Sequence, residues 1–169
     1  ETFPEIQKRN DPADDAFLFR QGPTKGLGKI HFHDYRKAYE SVELPNVKVF
    51  RKQIRIFKSL LLVASPNKEQ QKDFDFLLIL GELFTLVAYG QLIIENAKIY
   101  HIEDELLDQI FDFMVRDFSK FALQLYCKTS STRVQMFIDQ QMIFKPVPNT
   151  TRFKKIWDEH MFALKGANA

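Results

Sequence analysis

The stretch FDFLLILGELFTLVAYGQLII, residues 74–94, decides how this chain folds. It is about the ~20 residues that a transmembrane helix needs, so the first question is whether it lies in lipid or in protein. Asp75, Glu82, Thr85 and Gln91 interrupt it. A carboxylate in mid-segment costs roughly 2.5–3.5 kcal/mol on insertion scales. The reading is therefore a helix packed within protein, with no transmembrane segment. Because the stretch is apolar on nearly every side, it suits the buried axis of a helical bundle better than a surface helix.

Upstream, Phe50, Ile54, Phe57 and Leu61 mark one face of a first helix that runs from Val47 and ends before Ser65-Pro66. Ser65 offers a capping hydroxyl and Pro66 suits a first helical position, so the apolar stretch reads as a second helix from there to about Lys98. That helix would hold ~32 residues over roughly 50 Å. Gly81 and Gly90 fall in its interior, each costing up to ~1 kcal/mol relative to Ala, which implies a closely approaching neighbour or a kink.

Downstream, a third helix begins near Glu103 or Asp104, and its apolar residues recur at three- and four-residue steps from Leu107 to Leu125. After the turn Lys128-Thr-Ser-Ser-Thr132, a fourth helix carries Val134, Phe137, Ile138 and Met142. Asn149 or Thr150 caps a fifth, whose face is Phe153, Ile156, Trp157, His160, Met161 and Leu164, with Gly166 placed for a left-handed C-terminal cap. The expected architecture is all-α: a largely antiparallel bundle of about five helices over 47–169. Residues 1–46 hold most of the early Gly and Pro and read as an irregular entry arm, with a short extended segment over Gly28–Tyr35.

Composition limits the function. At 169 residues, 45% hydrophobic and 27% charged, the chain has the material for one core and is not a disordered tract. The net charge is only +2, with the signs interleaved, so no stripe for nucleic acid is visible. Cys127 is the only cysteine, which excludes an internal disulfide and fits a cytoplasmic setting. The first residues lack the features of a signal peptide.

No motif with catalytic spacing emerges. Gly22-Pro-Thr-Lys-Gly-Leu-Gly-Lys-Ile30 departs from a phosphate loop, since Leu27 stands at the second Gly and Ile30 at the hydroxyl position. His31 and His33 share one side of an extended segment but two ligands do not complete a metal site. Cys127 has no neighbouring His to activate it. Glu82, surrounded by Leu80, Leu83, Phe84, Leu86 and Val87, reads as a buried carboxylate, and Arg116 in a similarly apolar stretch is its expected structural partner. The abundant phenylalanines fall mainly at helical spacing and suit core packing.

Four strings carry a likeness: QGPTKGLGKIHFHD (21–34), LGELFTLVAYGQLIIE (80–95), DQIFDFMVRDF (108–118) and KTSST (128–132). In this order they resemble the C-terminal region of long bacterial acyl-CoA dehydrogenases, from about Asp14 to Gly166. The resemblance implies that the complete protein is an FAD-dependent oxidoreductase acting on the α and β carbons of acyl-CoA thioesters. Its cofactor-binding and catalytic residues would lie upstream, so none is assigned here: catalytic, cofactor-binding and metal residues are all expected to be absent. The implied role is docking on the catalytic core or on a second subunit of a homo-oligomer, with Lys25, Lys29 and His33 of the arm touching another domain. The alternative is a free-standing helical adaptor or apolar-ligand binder.

Overall fold

A computed structural model describes residues 34–161, and over them the chain is all-α. Six α-helices follow one another: α1 (Tyr35–Glu40), α2 (Pro45–Val63), α3 (Phe74–Ile99), α4 (Asp104–Cys127), α5 (Arg133–Gln141) and α6 (Thr150–Ile156). A 3₁₀ turn, Gln70–Lys72, precedes α3, and α6 runs on into a π-helical turn, Trp157–Met161.

Local chemistry sets the starts. Asp73 accepts a hydrogen bond from the Phe76 N–H at 3.1 Å and begins α3. Thr132 and Gln135 form a reciprocal capping box at α5, and Asn149 accepts from the Arg152 N–H at 2.9 Å at α6. Such caps relieve the unpaired donors of a first turn and are worth ~1 kcal/mol each. α2 has no side-chain cap and instead places Pro45 in its first turn, where the missing N–H costs nothing. At the other end of α3, His101 adopts φ 53° and lets Ile102 donate to the Ala97 carbonyl at 2.9 Å. This is the left-handed termination usually given to glycine.

α4 is the axis of the bundle, packing against α2, α3, α5 and α6. Its Leu107, Phe111, Met114, Phe118, Ala122 and Leu125 are buried as their spacing predicts. Phe50 meets Phe111 edge-to-face at 5.4 Å and Phe118 at 5.5 Å, and Phe57 meets Phe118 at 5.9 Å. Aromatic edges against faces add to the burial of these large side chains. The expectation that the apolar stretch over 74–94 forms the axis is corrected: α3 lies at the side, against α4 and α1.

Polar ties fix where the elements meet. Asn46, Asp108, Arg152 and Asp112 are all buried. The Asn46 N–H donates to Asp108 Oδ1 at 2.8 Å, and the Val147 N–H donates to Asn46 Oδ1 at 2.7 Å. Arg152 pairs with Asp108 and reaches Asp112 at 3.5 Å. Deeper in, the Gln53 amide donates to the carbonyls of Val115 and Met142 at 3.1 and 3.0 Å. Gln70 and Gln135 bond each other and the carbonyls of Ser130 and Ala64. Buried polar groups need such partners to avoid a cost of ~1–3 kcal/mol apiece.

Several sequence-based expectations shift. Ser65-Pro66 does not start a helix: Asn67 takes the amides of Glu69 and Gln70 into a turn, and the tie from Gln70 to Gln135 holds that turn in place. The arm boundary at residue 46 also moves, since Tyr39 of α1 is buried and donates to the Val87 carbonyl at 2.6 Å. Asp34 is the N-cap of α1 and Tyr35 its first residue rather than an extended end. α5 and α6 are rotated from their expected faces, although Ile138 and Met142 stay against the core as expected. The two helices bury Gln135, Asp139 and Arg152 while Val134, Phe137, Phe153 and Trp157 are exposed. Gly166 lies outside the described residues.

Candidate docking surface

α3 has two faces of nearly equal hydrophobicity and opposite fate. Phe76, Ile79, Leu80, Leu83, Ile94 and Ala97 face α4 and α1 and are buried. At Gly90 the packing is so close that an added Cβ would collide with the Tyr39 hydroxyl and lie 3.0 Å from Met114 Cε. That glycine is the close approach the sequence implied.

The opposite side is open. Phe74, Leu78, Leu92 and Ile99 recur at helical spacing along it, with Tyr89 and Tyr100 on one flank. Phe74 is 82% exposed, Leu78 68% and Ile99 68%. Between them lie the small residues Gly81, Thr85 and Ala88, also exposed. Single exposed leucines are ordinary, whereas a contiguous apolar strip along a whole helix marks an interaction surface. By length and composition α3 could also cross a bilayer, with a mean hydropathy of 2.0 over its best window.

Glu82 stands on this open side. The expected buried pair with Arg116 is absent, because Glu82 is exposed and makes no ion pair among the described residues. Arg116 instead pairs with Asp112 one turn earlier on α4 and lies 4.7 Å from the Phe113 ring. The physical reason is rotational: burying Phe76, Leu83 and Ile94 turns Glu82 to the far side of α3. Among the described residues the buried ion pair is Arg152 with Asp108, which apolar spacing alone did not reveal.

One buried carboxyl is perturbed. Asp139 is 1% exposed, its Oδ1 has no hydrogen-bond partner, and burial pushes its pKa up to about 7. A carboxyl in that range can exchange a proton near neutrality. It has no nucleophile or second carboxylate hydrogen-bonded to it among the described residues.

A concavity of about 200 Å³ lies between α1 and α2, lined by Tyr35, Arg36, Arg51, Ile54, Arg55 and Lys58 among others. Its basic character is partly cancelled, since Arg36 pairs with Asp34 at 2.6 Å and Arg51 with Glu43 at 3.4 Å. The Arg36 hydrogen bond holds the Asp34 carboxyl down to about 2. The volume falls below the ~300–1,000 Å³ of cofactor-sized pockets. This concavity is too small to hold FAD.

Among the described residues no group of three or more His, Cys, Asp and Glu side chains could hold a metal. His101 and His160 are exposed, and the Cys127 thiol is exposed at the end of α4. His31 and His33, the glycine turn at 22–30, and the arm residues Lys25, Lys29 and His33 lie outside the described residues. Comparison with protein-family models, curated proteins and solved structures returns no match.

Proposed function

We propose that this chain is a non-catalytic helical domain that docks, through the open face of α3, on the core of an FAD-dependent acyl-CoA dehydrogenase or on a second subunit. The observation that carries the docking role is the strip Phe74, Leu78, Leu92 and Ile99, apolar and open over the length of a helix. Burying such a strip against protein is favourable at ~25 cal/mol per Å². The link to an acyl-CoA dehydrogenase rests on the four ordered strings, which include residues of α3, α4 and the turn at 128–132. In this reading the flavin, the glutamate base and acyl-CoA binding belong to the core. The domain's contribution is to hold assembly and to close one side of the core's surface.

Reading the coding sequence upstream of Glu1 tests the assignment. The expected outcome is an in-frame acyl-CoA dehydrogenase core of several hundred residues. A start codon immediately before Glu1, with no such core, would overturn it and favour a free-standing adaptor.

A further inference from the structure

The near-neutral total charge of the chain conceals one uneven element. α2 carries Lys48, Arg51, Lys52, Arg55 and Lys58 and no Asp or Glu at all. Its cations stand three and four residues apart, where like charges repel along a helix. The helix dipole does not favour them either, since it prefers cations in a last turn, and residues 60–63 of α2 are all leucine and valine. Packing has no need of the pattern, because Val47, Phe50, Ile54 and Phe57 already seat the helix in the core. Glu43 relieves two of the five, pairing with Lys48 at 2.9 Å and Arg51 at 3.4 Å, and Lys52 lies 4.6 Å from the centre of the Phe144 ring. Arg55 and Lys58 are exposed and make no ion pair among the described residues.

These two residues line the concavity between α1 and α2. Buried Ile54 and Tyr39 supply its apolar base and half-buried Tyr35 its side, while Arg36, Arg51 and Glu40 complete the charged lining. With every ion-pair partner included, Arg36, Lys48, Arg51, Arg55 and Lys58 are set against Asp34, Glu40 and Glu43. The surplus of two positive charges equals the net charge of the entire chain, and it surrounds a space of about 200 Å³.

That combination selects a ligand. A phosphate monoester is close to a dianion at neutral pH, whereas a sulfate ester or a carboxylate carries one charge. The Arg55 guanidinium has the planar fork that meets two phosphate oxygens at once, and the Lys58 ammonium one turn on adds a compact charge. The space admits a phosphate head and the first atoms of its carrier, against Ile54 and the Tyr35 ring. A nucleic-acid backbone needs a longer row of available cations, and here carboxylates already hold Arg36, Lys48 and Arg51.

We propose that the concavity between α1 and α2 binds a phosphate monoester, with Arg55 and Lys58 holding its dianion and Arg51 beside them. No residue of α3 lines the site, so the proposal stands or falls independently of the docking role.

A free phosphorylated metabolite and a lipid headgroup present the same chemistry, and two probes separate them. Calorimetric titration of the full chain with phenyl phosphate, in roughly 0.15 M salt to screen diffuse attraction, is expected to show saturable binding at one site. Phenyl sulfate, with one charge fewer, binds about tenfold more weakly. Arg55→Gln and Lys58→Gln alter exposed side chains and keep the helical circular dichroism, yet each weakens phenyl phosphate about tenfold. Lys120→Gln, at an exposed lysine of α4 outside the concavity, stays within about twofold of the wild type. Co-sedimentation that requires phosphatidic acid in phosphatidylcholine vesicles and is lost in Arg55→Gln, with no response to phenyl phosphate, assigns the same site to a lipid headgroup. Failure of both probes to bind overturns the site. So does equal weakening by Lys120→Gln, which reduces the binding to diffuse surface charge, and so does binding that survives both Arg55→Gln and Lys58→Gln.

Discussion

α4 and α3 are almost equally long, 24 and 26 residues, and leucine, isoleucine and phenylalanine supply 9 residues of the first and 13 of the second. α4 concentrates its apolar residues in one wide stripe and turns Asp117, Lys120 and Gln124 outward. Four neighbouring helices cover the stripe. α3 distributes the same residue types around its whole circumference, and one bundle can cover only one side of it. Total hydrophobicity therefore does not predict how deeply a helix is buried. Its angular distribution, together with the number of partners the chain supplies, does.

The sharpest way to break this comparison is to remove one large side chain from each helix. Phe118→Ala in α4 is expected to lower stability by about 3–5 kcal/mol, because the ring is fully buried between Phe50 and Phe57. Leu78→Ala on the outer side of α3, measured by urea denaturation at a concentration where the chain is monomeric, should change stability by no more than ~0.5 kcal/mol. A large loss at Leu78 would mean that the open side of α3 is already occupied within one chain.

A similar loss is expected at the end of α4 that meets α6. Arg152→Ala strands Asp108 without its cation in a buried site, while Asp112 keeps Arg116, at a cost of about 3–5 kcal/mol. Arg116, whose side chain is 53% exposed beside Asp112, should tolerate Ala within ~1 kcal/mol. Equal effects in thermal unfolding would show that burial does not separate these two arginines.

A smaller change, with a pH signature, is expected at Asp139. Its carboxyl titrates near 7 when folded, against an ordinary value of 3.8. Between those values the unfolded chain has released the proton and the folded chain retains it. Stability from this group is thus complete below about pH 4, declines as pH rises towards 7 and is flat above. Asp139→Asn should remove that decline and raise stability by about 1–3 kcal/mol at pH 8. An unchanged slope of stability between pH 4 and 7 would count against the assignment.

The extent and apolar face of α4 were legible because its spacing is strict and Asp104 and Glu105 in its first turn suit the helix dipole. α2 was recognised from Val47 onward, and Pro45, set aside as arm punctuation, was its true first-turn residue. The start of α3 was misplaced by eight residues' worth of turn, since the long-range ties of Gln70 outweigh a local Ser-Pro signal. α5 and α6 misled for a related reason: Gln135, Asp139 and Arg152 point inward, and apolar spacing assigns such residues to water. Glu82 was read as buried because its chain neighbours are apolar. Neighbours in sequence share a helix but not a face, and the side facing α4 is fixed by Gly90, whose closeness to Tyr39, Phe50 and Met114 depends on three other helices.

The tie between Asn46, Asp108, Val147 and Arg152 joins segments separated by as many as 101 residues. During synthesis α4 emerges well before Arg152, so Asp108 has no buried cation until the sixth helix is made. The N-terminal end of α4 can close only on a chain that has been translated through Arg152. The packing of that end of α4 is thus tied to a segment more than forty residues downstream.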